Sequence, residues 1–266
     1  MKPHDDMQDF MPWTVIAGGS EGVGASFAKR LAERGVNLVL VARKIGPLEE
    51  LANEIKNKYG VEVRIHSLDL GQSTAAEQLI AHCDGLEVGG LIYNAGAAHG
   101  LTPFLDQSLD DYMTLMRLNT ETQVRIIHHF AKGMRDRGRG AIISLGSGAS
   151  AGGTPNLAGY SAAKAYVQVL AEGLWYEFKP FGIKLLFLIL GLTRTPAMER
   201  AGFSMDSNEF QADEPDAVAA TGLAKLADGP VQIMDSIRPN IERLSQLSRA
   251  EVVESLSDSS KGLTQD

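Results

Sequence analysis

The chain has 266 residues, a formal charge of −8 and 44% apolar residues. This length fits one large α/β domain, and the acidic balance argues against nucleic acid as a main partner. A single cysteine, Cys83, excludes an intrachain disulfide. No apolar stretch approaches the length of a membrane span.

The first eleven residues are polar and acidic and lack the basic start and apolar run of a signal peptide. They read as a flexible lead-in, and the protein as cytoplasmic. A short apolar strand, Val15 to Ala17, runs into the cluster Gly18-Gly19-Ser20-Glu21-Gly22-Val23-Gly24. A helix through Phe27, Leu31 and Arg34 follows, and Gly35 ends it. The run from Val36 to Ala42 is almost continuously apolar, which means burial on both faces and a parallel sheet. The cycle repeats with a helix over 47–58, a strand over 61–68, a helix over 73–82 and a strand over 90–93. A long helical region over 108–137 is expected to bend or break near Asn119. A strand over 141–145 and a helix over 156–178, ended by Pro180 and Gly182, come next. The last repeats are a strand over 183–190, a helix over 213–227 and a short strand over 231–234. From Ser236 the tail reads as helical to about Leu256 and then frays.

Such alternation builds right-handed crossovers around a parallel sheet. The prediction is an α/β chain with a single doubly wound Rossmann-type domain over 12–256. It would carry about seven strands, helices on both faces, and flexible ends over 1–11 and 257–266. Ligand sites in this architecture lie beyond the carboxyl ends of the strands.

Three groups of residues at those ends carry chemistry. The glycine cluster lets backbone approach a pyrophosphate closely and opens a helix whose N-terminus favours negative charge. Its spacing is not G-x-G-x-x-G, and a tight turn without a ligand would look similar. The second strand ends in Ala42 and Arg43, where an acidic residue would bind the ribose of NAD. A guanidinium there suits a 2′-phosphate, so NADP(H) is expected in preference to NAD(H). Tyr160 and Lys164 stand at i, i+4 on a helix, about 6 Å apart along its axis. A phenol titrates near 10, and bringing it to about 7 takes roughly 4 kcal/mol. A nearby ammonium moves it that way. Ser147 lies just beyond the fifth strand, where its hydroxyl can hold a substrate oxygen.

With these motifs in view, the chain resembles the short-chain dehydrogenase/reductase family from Trp13 to about Val253. The family's glycine pattern falls on Ala17, Gly18, Gly22 and Gly24, and its Asn-Ala-Gly on Asn94, Ala95 and Gly96. Its Asp after the third strand falls on Asp69, followed by Leu70. Ser147 and Tyr160 stand thirteen positions apart, the spacing common in relatives. The resemblance implies that Ser147, Tyr160 and Lys164 are catalytic and that Asn119 anchors a proton relay. It implies a cofactor site made of Gly18, Ser20, Gly22, Val23, Gly24, Arg43, Asp69, Leu70, Asn94, Ala95, Gly96, Tyr160, Lys164, Gly191, Thr193 and Thr195. Hydride would pass between nicotinamide and a carbonyl carbon, with Tyr160 as general acid or base.

Three positions depart from the family pattern. Ala17 stands for the usual threonine, and Leu190 for a proline, which leaves only Gly191 in a loop expected to be looser. Glu21 stands where many NADP-users carry a basic residue, so Arg43 is expected to bear the phosphate with little aid except Ser20.

Segment 195–211, with Met198, Phe203, Met205 and Phe210, corresponds to a mobile substrate lid in relatives. Apolar, adaptable methionines suit a greasy substrate. With Ala149, Leu157, Leu192, Ser147 and Tyr160 they point to a bulky hydrophobic ketone or alcohol. Charged residues able to clamp a carboxylate or phosphate are not obvious apart from Arg194 and Arg200. Tyr166 and Trp175 share a helix that forms an oligomer contact in relatives, so a homotetramer or homodimer is expected. No metal-ligand cluster is evident, and neither nucleic acid nor membrane is an expected partner. Two other readings remain: a catalytically idle dinucleotide-binding sensor or scaffold, and a related isomerase or dehydratase.

Overall fold

A computed structural model of the chain describes residues 5–98, 101–200 and 212–261. The apolar runs become strands β1 (Trp13–Ala17), β2 (Asn37–Ala42), β3 (Val63–Ser67), β4 (Val88–Tyr93), β5 (Gly140–Leu145), β6 (Ile183–Ile189) and β7 (Val231–Ile233). All pair in parallel, in the order β3-β2-β1-β4-β5-β6-β7. Strands β1, β4 and β5 are buried along their full length, which is why their residues are mostly apolar, with Thr14 and Ser144 the polar exceptions. The edge strand β3 alternates more and is partly open to solvent. Strand order reverses between β1 and β4, so the loops after these two strands diverge and leave a crevice.

The helices are α1 (Asp5–Phe10), α2 (Gly22–Ala32), α3 (Ile45–Tyr59), α4 (Ala75–His82), α5 (Leu109–Met116), α6 (Thr122–Arg137), α7 (Ala158–Phe178), α8 (Pro196–Arg200), α9 (Pro215–Lys225), α10 (Arg238–Leu244) and α11 (Arg249–Lys261). Two cores cover the two faces of the sheet. One joins Phe27, Leu31, Leu40, Leu48, Ile143 and Leu223, from helices α2, α3 and α9 and the strands beneath them. The other joins Leu79, Tyr93, Ile126, Phe130, Val167 and Phe187, under α4, α6 and α7. Each wholly buried side chain of this size contributes about 1.5–3 kcal/mol. Ala171 and Ala163 are buried in α7 and let that long helix sit close to the sheet.

The expected doubly wound domain is present, with helices on both faces of a seven-stranded sheet. Element ends differ from the sequence reading in places. Trp13 and Thr14 extend β1, and Val88 and Gly89 extend β4, because β1 shifts register against β4 at Trp13/Thr14. The long helical region near Asn119 does not break. A π turn, Arg117–Glu121, joins α5 to α6. Within the first eleven residues, Asp5–Phe10 is helical, Met11 N–H bonds the Met7 carbonyl at 2.8 Å, and the Met11 side chain is buried. The tail holds two helices, and α11 continues past Leu256 to Lys261.

His66 of β3 and His82 of α4 stack with centroids 4.4 Å apart and planes 13° apart. Burial lowers both pKa values, and for His82 the neighbouring His66 and Arg64 lower it further. The folded state therefore binds fewer protons than the unfolded chain, whose imidazoles titrate near 6.5. This contribution to stability is whole above 6.5 and is lost as pH falls through that value toward the lowered folded-state pKa values. The urea midpoint should drop between about pH 7.5 and about pH 5.5, and drop less in a His66→Phe/His82→Phe variant. Equal drops in the two proteins would show that the stacked pair carries none of the effect.

Candidate active site

The site is built at the reversal between β1 and β4. Gly18 and Gly19 N–H groups both bond the Val41 carbonyl, at 2.8 and 3.0 Å, which folds the glycine turn back over β2. Gly18 has φ +80°, open to glycine at little cost, and a β-carbon there would lie 3.0 Å from the Ala95 nitrogen. A β-carbon on Gly24 would lie 2.0 Å from the Gly18 carbonyl oxygen, so the first turn of α2 closes only around glycine. Asn94, just after β4, donates Nδ2 to that same carbonyl at 2.8 Å. These contacts hold two loop ends together and leave the amide end of α2 facing the crevice. Glu21, at the N-cap position of α2, makes no side-chain cap, so the first amides of the helix remain available to an anion. The cradle therefore fits the pyrophosphate of a dinucleotide.

Beyond β5, Ser147 caps a short 3-10 turn, Gly148–Ala151, and its Oγ accepts the Ala149 N–H at 3.2 Å. Its hydroxyl also acts on the Tyr160 phenol, whose pKa it works to lower. Tyr160 and Lys164 lie on α7, one turn apart. Lys164 is 6% exposed and donates Nζ to the Leu145 carbonyl at 3.0 Å. The same ammonium stands 5.6 Å from the centre of the Tyr160 ring. Burial lowers the Lys164 pKa to about 8.

Asn119 reaches the site through the π turn. The turn shifts the helical ladder, and side chains take up carbonyls that it frees. Asn119 Nδ2 donates to the Leu115 and Ala97 carbonyls at 2.9 and 3.1 Å, and the Tyr93 hydroxyl donates to Leu118 at 2.7 Å. Asn119 Oδ1 is buried and accepts no hydrogen bond from the described residues. A β-carbon on Gly96 would lie 2.7 Å from this oxygen and 3.0 Å from Lys164 Nζ. Gly96 is thus the gap between the two groups.

Asn119, Ser147, Tyr160 and Lys164 are brought together, and the glycine turn, Asn94, Ala95 and Gly96 lie beside them. Other candidates are placed differently. The Val23 and Leu70 side chains are buried in the two cores, which leaves only backbone groups for a ligand. Asp69 spends Oδ1 on the Gly71 N–H at 2.9 Å. Arg43 is exposed at the end of β2, and its carbonyl accepts the Ser67 hydroxyl at 3.0 Å. Thr193 is buried with Oγ1 on the Gly191 carbonyl at 3.3 Å. Ser20, Ala149, Leu157, Leu192, Thr195 and Met198 are half-buried; of these, Leu157 lines a narrow crevice with Tyr160 and Thr195 stands beside Gly22. Phe203, Met205 and Phe210 lie outside the described residues.

Three sequence expectations need correction. In the free protein the Tyr160 pKa is raised and not lowered, because burial outweighs the opposing effect of Ser147. The loop with Leu190 is held, because the Leu190 carbonyl accepts Gly148 N–H at 2.9 Å and Ile237 packs over Gly191. Arg200 and Arg194 do not point to a substrate anion, since Arg200 pairs with Glu21 and Arg194 with Glu214 at 3.1 Å. Trp175 is half-buried and packs against the core beneath α7, with Lys179 Nζ 3.4 Å from the centre of its ring.

The sequence reading missed the wall supplied by the tail. Ile237 and Ile241 cover Gly148, and Val252 and Leu256 cover Gly152. Arg249 donates to the Ala151 carbonyl at 3.1 Å. The i, i+4 spacing of Ile237 and Ile241 was the available signal. Phe104 was also missed; it lines a narrow crevice with Leu115, Leu157, Gly159 and Tyr160, and it packs edge-on against Tyr112.

The short chain dehydrogenase family model matches residues 12–204. The chain is 34% identical to a 7beta-hydroxysteroid dehydrogenase of Clostridium sardiniense, over 80% of this chain and 82% of that one. It is 33% identical to a very-long-chain 3-oxoacyl-CoA reductase of Anas platyrhynchos, over 82% and 71%. A solved 7beta-hydroxysteroid dehydrogenase superposes with a TM-score of 0.85 at 26% identity, covering 94% of this chain and 98% of that one. A Sphingobium yanoikuyae short-chain dehydrogenase in complex with NADPH superposes with a TM-score of 0.76 at 29% identity, covering 88% and 93%. The chain belongs to the short-chain dehydrogenase family, whose fold is that of NAD(P)-dependent oxidoreductases. Among the described residues no helix is long and apolar enough to cross a membrane, and no cluster could hold a metal ion.

A methyl group at Gly96 would push Lys164 Nζ and Asn119 Oδ1 apart. Gly96→Ala should cut turnover about 10²-fold, the cost of a misplacement near 1 Å, while circular dichroism shows an intact fold. Turnover within twofold of the parent protein would sink this reading of the gap.

Proposed function

We propose that this chain interconverts a ketone and a secondary alcohol, prefers NADP(H) to NAD(H), and acts on a bulky apolar substrate of steroid-like size. The observation that carries the reading is the convergence of Ser147, Tyr160 and Lys164 beside a glycine cradle at the sheet's reversal. A bound nicotinamide dinucleotide supplies or accepts the hydride; the chain orients the substrate and moves the proton.

Ser147 and Tyr160 both offer O–H groups to a carbonyl oxygen. Burial keeps the free phenol protonated, the state that carbonyl reduction needs. After the proton leaves, the phenolate must be supported. A unit charge 5.6 Å from the ring centre is worth about 3 kcal/mol at an effective dielectric near 20. That falls short of the roughly 4 kcal/mol needed to bring a phenol near 7, before burial is counted. The Ser147 bond to the phenolate, about 1.5–3 kcal/mol when charge-assisted, covers the difference. Serine and lysine are therefore both required. Asn119 Oδ1, across Gly96 from Lys164, is the acceptor that continues the proton path toward solvent.

The cofactor preference rests on Ala42 and Arg43, which put a cation and no carboxylate at the end of β2. Glu21, the acid nearest that position in the glycine turn, has its charge offset by Arg200. A large apolar substrate is supported by the wall that Ile237 and Ile241 form over Gly148, and by the half-buried apolar side chains of Leu157, Leu192 and Met198. The similarity to 7beta-hydroxysteroid dehydrogenases fits a rigid polycyclic substrate. The outer face of α7 exposes Tyr166, Val169 and Tyr176, beside a groove that includes Met116 and Val124. It suits self-association into a dimer or tetramer.

Tyr160→Phe should lower carbonyl reduction about 10²- to 10⁴-fold while NADPH still binds. Retained turnover on a panel of steroid ketones would defeat the assignment, and absent turnover in the parent protein would favour an idle binding protein. Arg43→Ala should weaken NADPH binding about tenfold, near 1.4 kcal/mol, and leave NADH nearly unchanged. Titration calorimetry with both cofactors reads this directly. A Tyr166→Glu/Val169→Asp variant should sediment as a monomer, whereas an unchanged sedimentation coefficient would remove α7 as the contact.

A further inference from the structure

Two contacts cross from the glycine turn to the segment after β6. The Thr195 methyl carbon stands 2.9 Å from where a Gly22 β-carbon would be. Arg200, the last residue of α8, forks onto Glu21: Nη1 donates to Oε2 at 3.1 Å, and Nη2 donates to Oε1. A planar guanidinium on both carboxylate oxygens is the geometry in which an arginine pair is strongest. The side chains are 50% and 31% exposed, so the pair is half-screened by solvent.

The residues that begin this segment pair with Asp213. Asp213 N–H bonds the Leu192 carbonyl, and Arg194 N–H bonds the Asp213 carbonyl, both at 2.9 Å. Thr195 Oγ1 accepts the Met198 N–H at 3.3 Å and starts α8. Helix α8 is therefore a short strap, fixed at Thr195 and clipped at Arg200. It lies against the turn that presents the α2 amides. A dinucleotide whose pyrophosphate rests on those amides must pass between strap and turn. Glu21 would also repel the phosphates if its charge were not offset.

We propose that the Glu21–Arg200 pair is a latch that holds α8 against the glycine turn, and that its opening limits cofactor exchange. Both are positioning residues; neither needs to touch the reacting atoms. The inference rests on the cofactor reading above, and it explains why an acid is tolerated where a base would serve NADP better.

A double-mutant cycle tests it. NADPH release is followed by stopped-flow fluorescence in the parent protein, Glu21→Gln, Arg200→Gln and the double variant, at low and high salt. Each single variant should release NADPH about two- to five-fold faster, the range a partly exposed pair can contribute. The double variant should be no faster than the faster single one. Arg200→Lys should recover only part, because it lacks the fork. High salt should bring the parent protein toward the variants. A second reading needs no cofactor: trypsin should cut after Arg200 about two- to five-fold faster in Glu21→Gln than in the parent protein.

Additive effects in the cycle, or equal tryptic cleavage, overturn the latch. Slower release in Glu21→Gln with faster release in Arg200→Gln overturns it too, and makes Arg200 a direct phosphate ligand. If no variant binds NADPH, the cofactor reading fails instead, and tryptic cleavage alone decides whether the two residues hold α8.

Discussion

The arrangement depends on an ammonium group kept inside the protein. Lys164 gives up bulk water, and burial alone would push it toward neutrality. The Leu145 carbonyl at the end of β5 and the face of the Tyr160 ring are what it receives in return. Each partner comes from an element fixed by the sheet: β5 is an inner strand next to the central β4, and α7 packs over the sheet through small side chains. An ammonium held in this way cannot wander, so its field acts in one direction. The phenol, the serine hydroxyl and the gap at Gly96 are arranged around that fixed charge.

The same economy appears where β1 and β4 part. Asn94 bonds the Gly18 carbonyl, and Gly18 itself blocks any side chain on Gly24. Two loops from different strands become one rigid surface, with backbone amides pointing outward. Rigid amides are what an anion needs, since they require no rearrangement on binding. The strap after β6 meets that surface differently, through the Arg200–Glu21 pair that solvent partly reaches.

Much of this was legible in the sequence because burial on both faces writes a strand as a continuous apolar run, as in Val36 to Ala42. The glycines, Tyr160 and Lys164 were legible because their spacing matches a local turn or helix. What escaped depended on distant contacts. Nothing local reports that Ile237 would cover Gly148, or that Arg200 would find Glu21 across 179 positions. The bend at Asn119 was anticipated, but its form was not, since a π turn is stabilised by side chains that reach freed carbonyls. The phenol's response to burial was hidden as well: sequence shows which charges neighbour Tyr160 along a helix, and only packing shows how dry its surroundings are.

The wall formed by α10 and α11 has a consequence for biosynthesis. Both helices follow all seven strands along the chain, so a ribosome completes the sheet and the Ser147 turn before it delivers their cover. The residues that cover Gly148 and Gly152 are therefore the last part of the site to be synthesised, and a chain shortened before Ile237 would lose that cover.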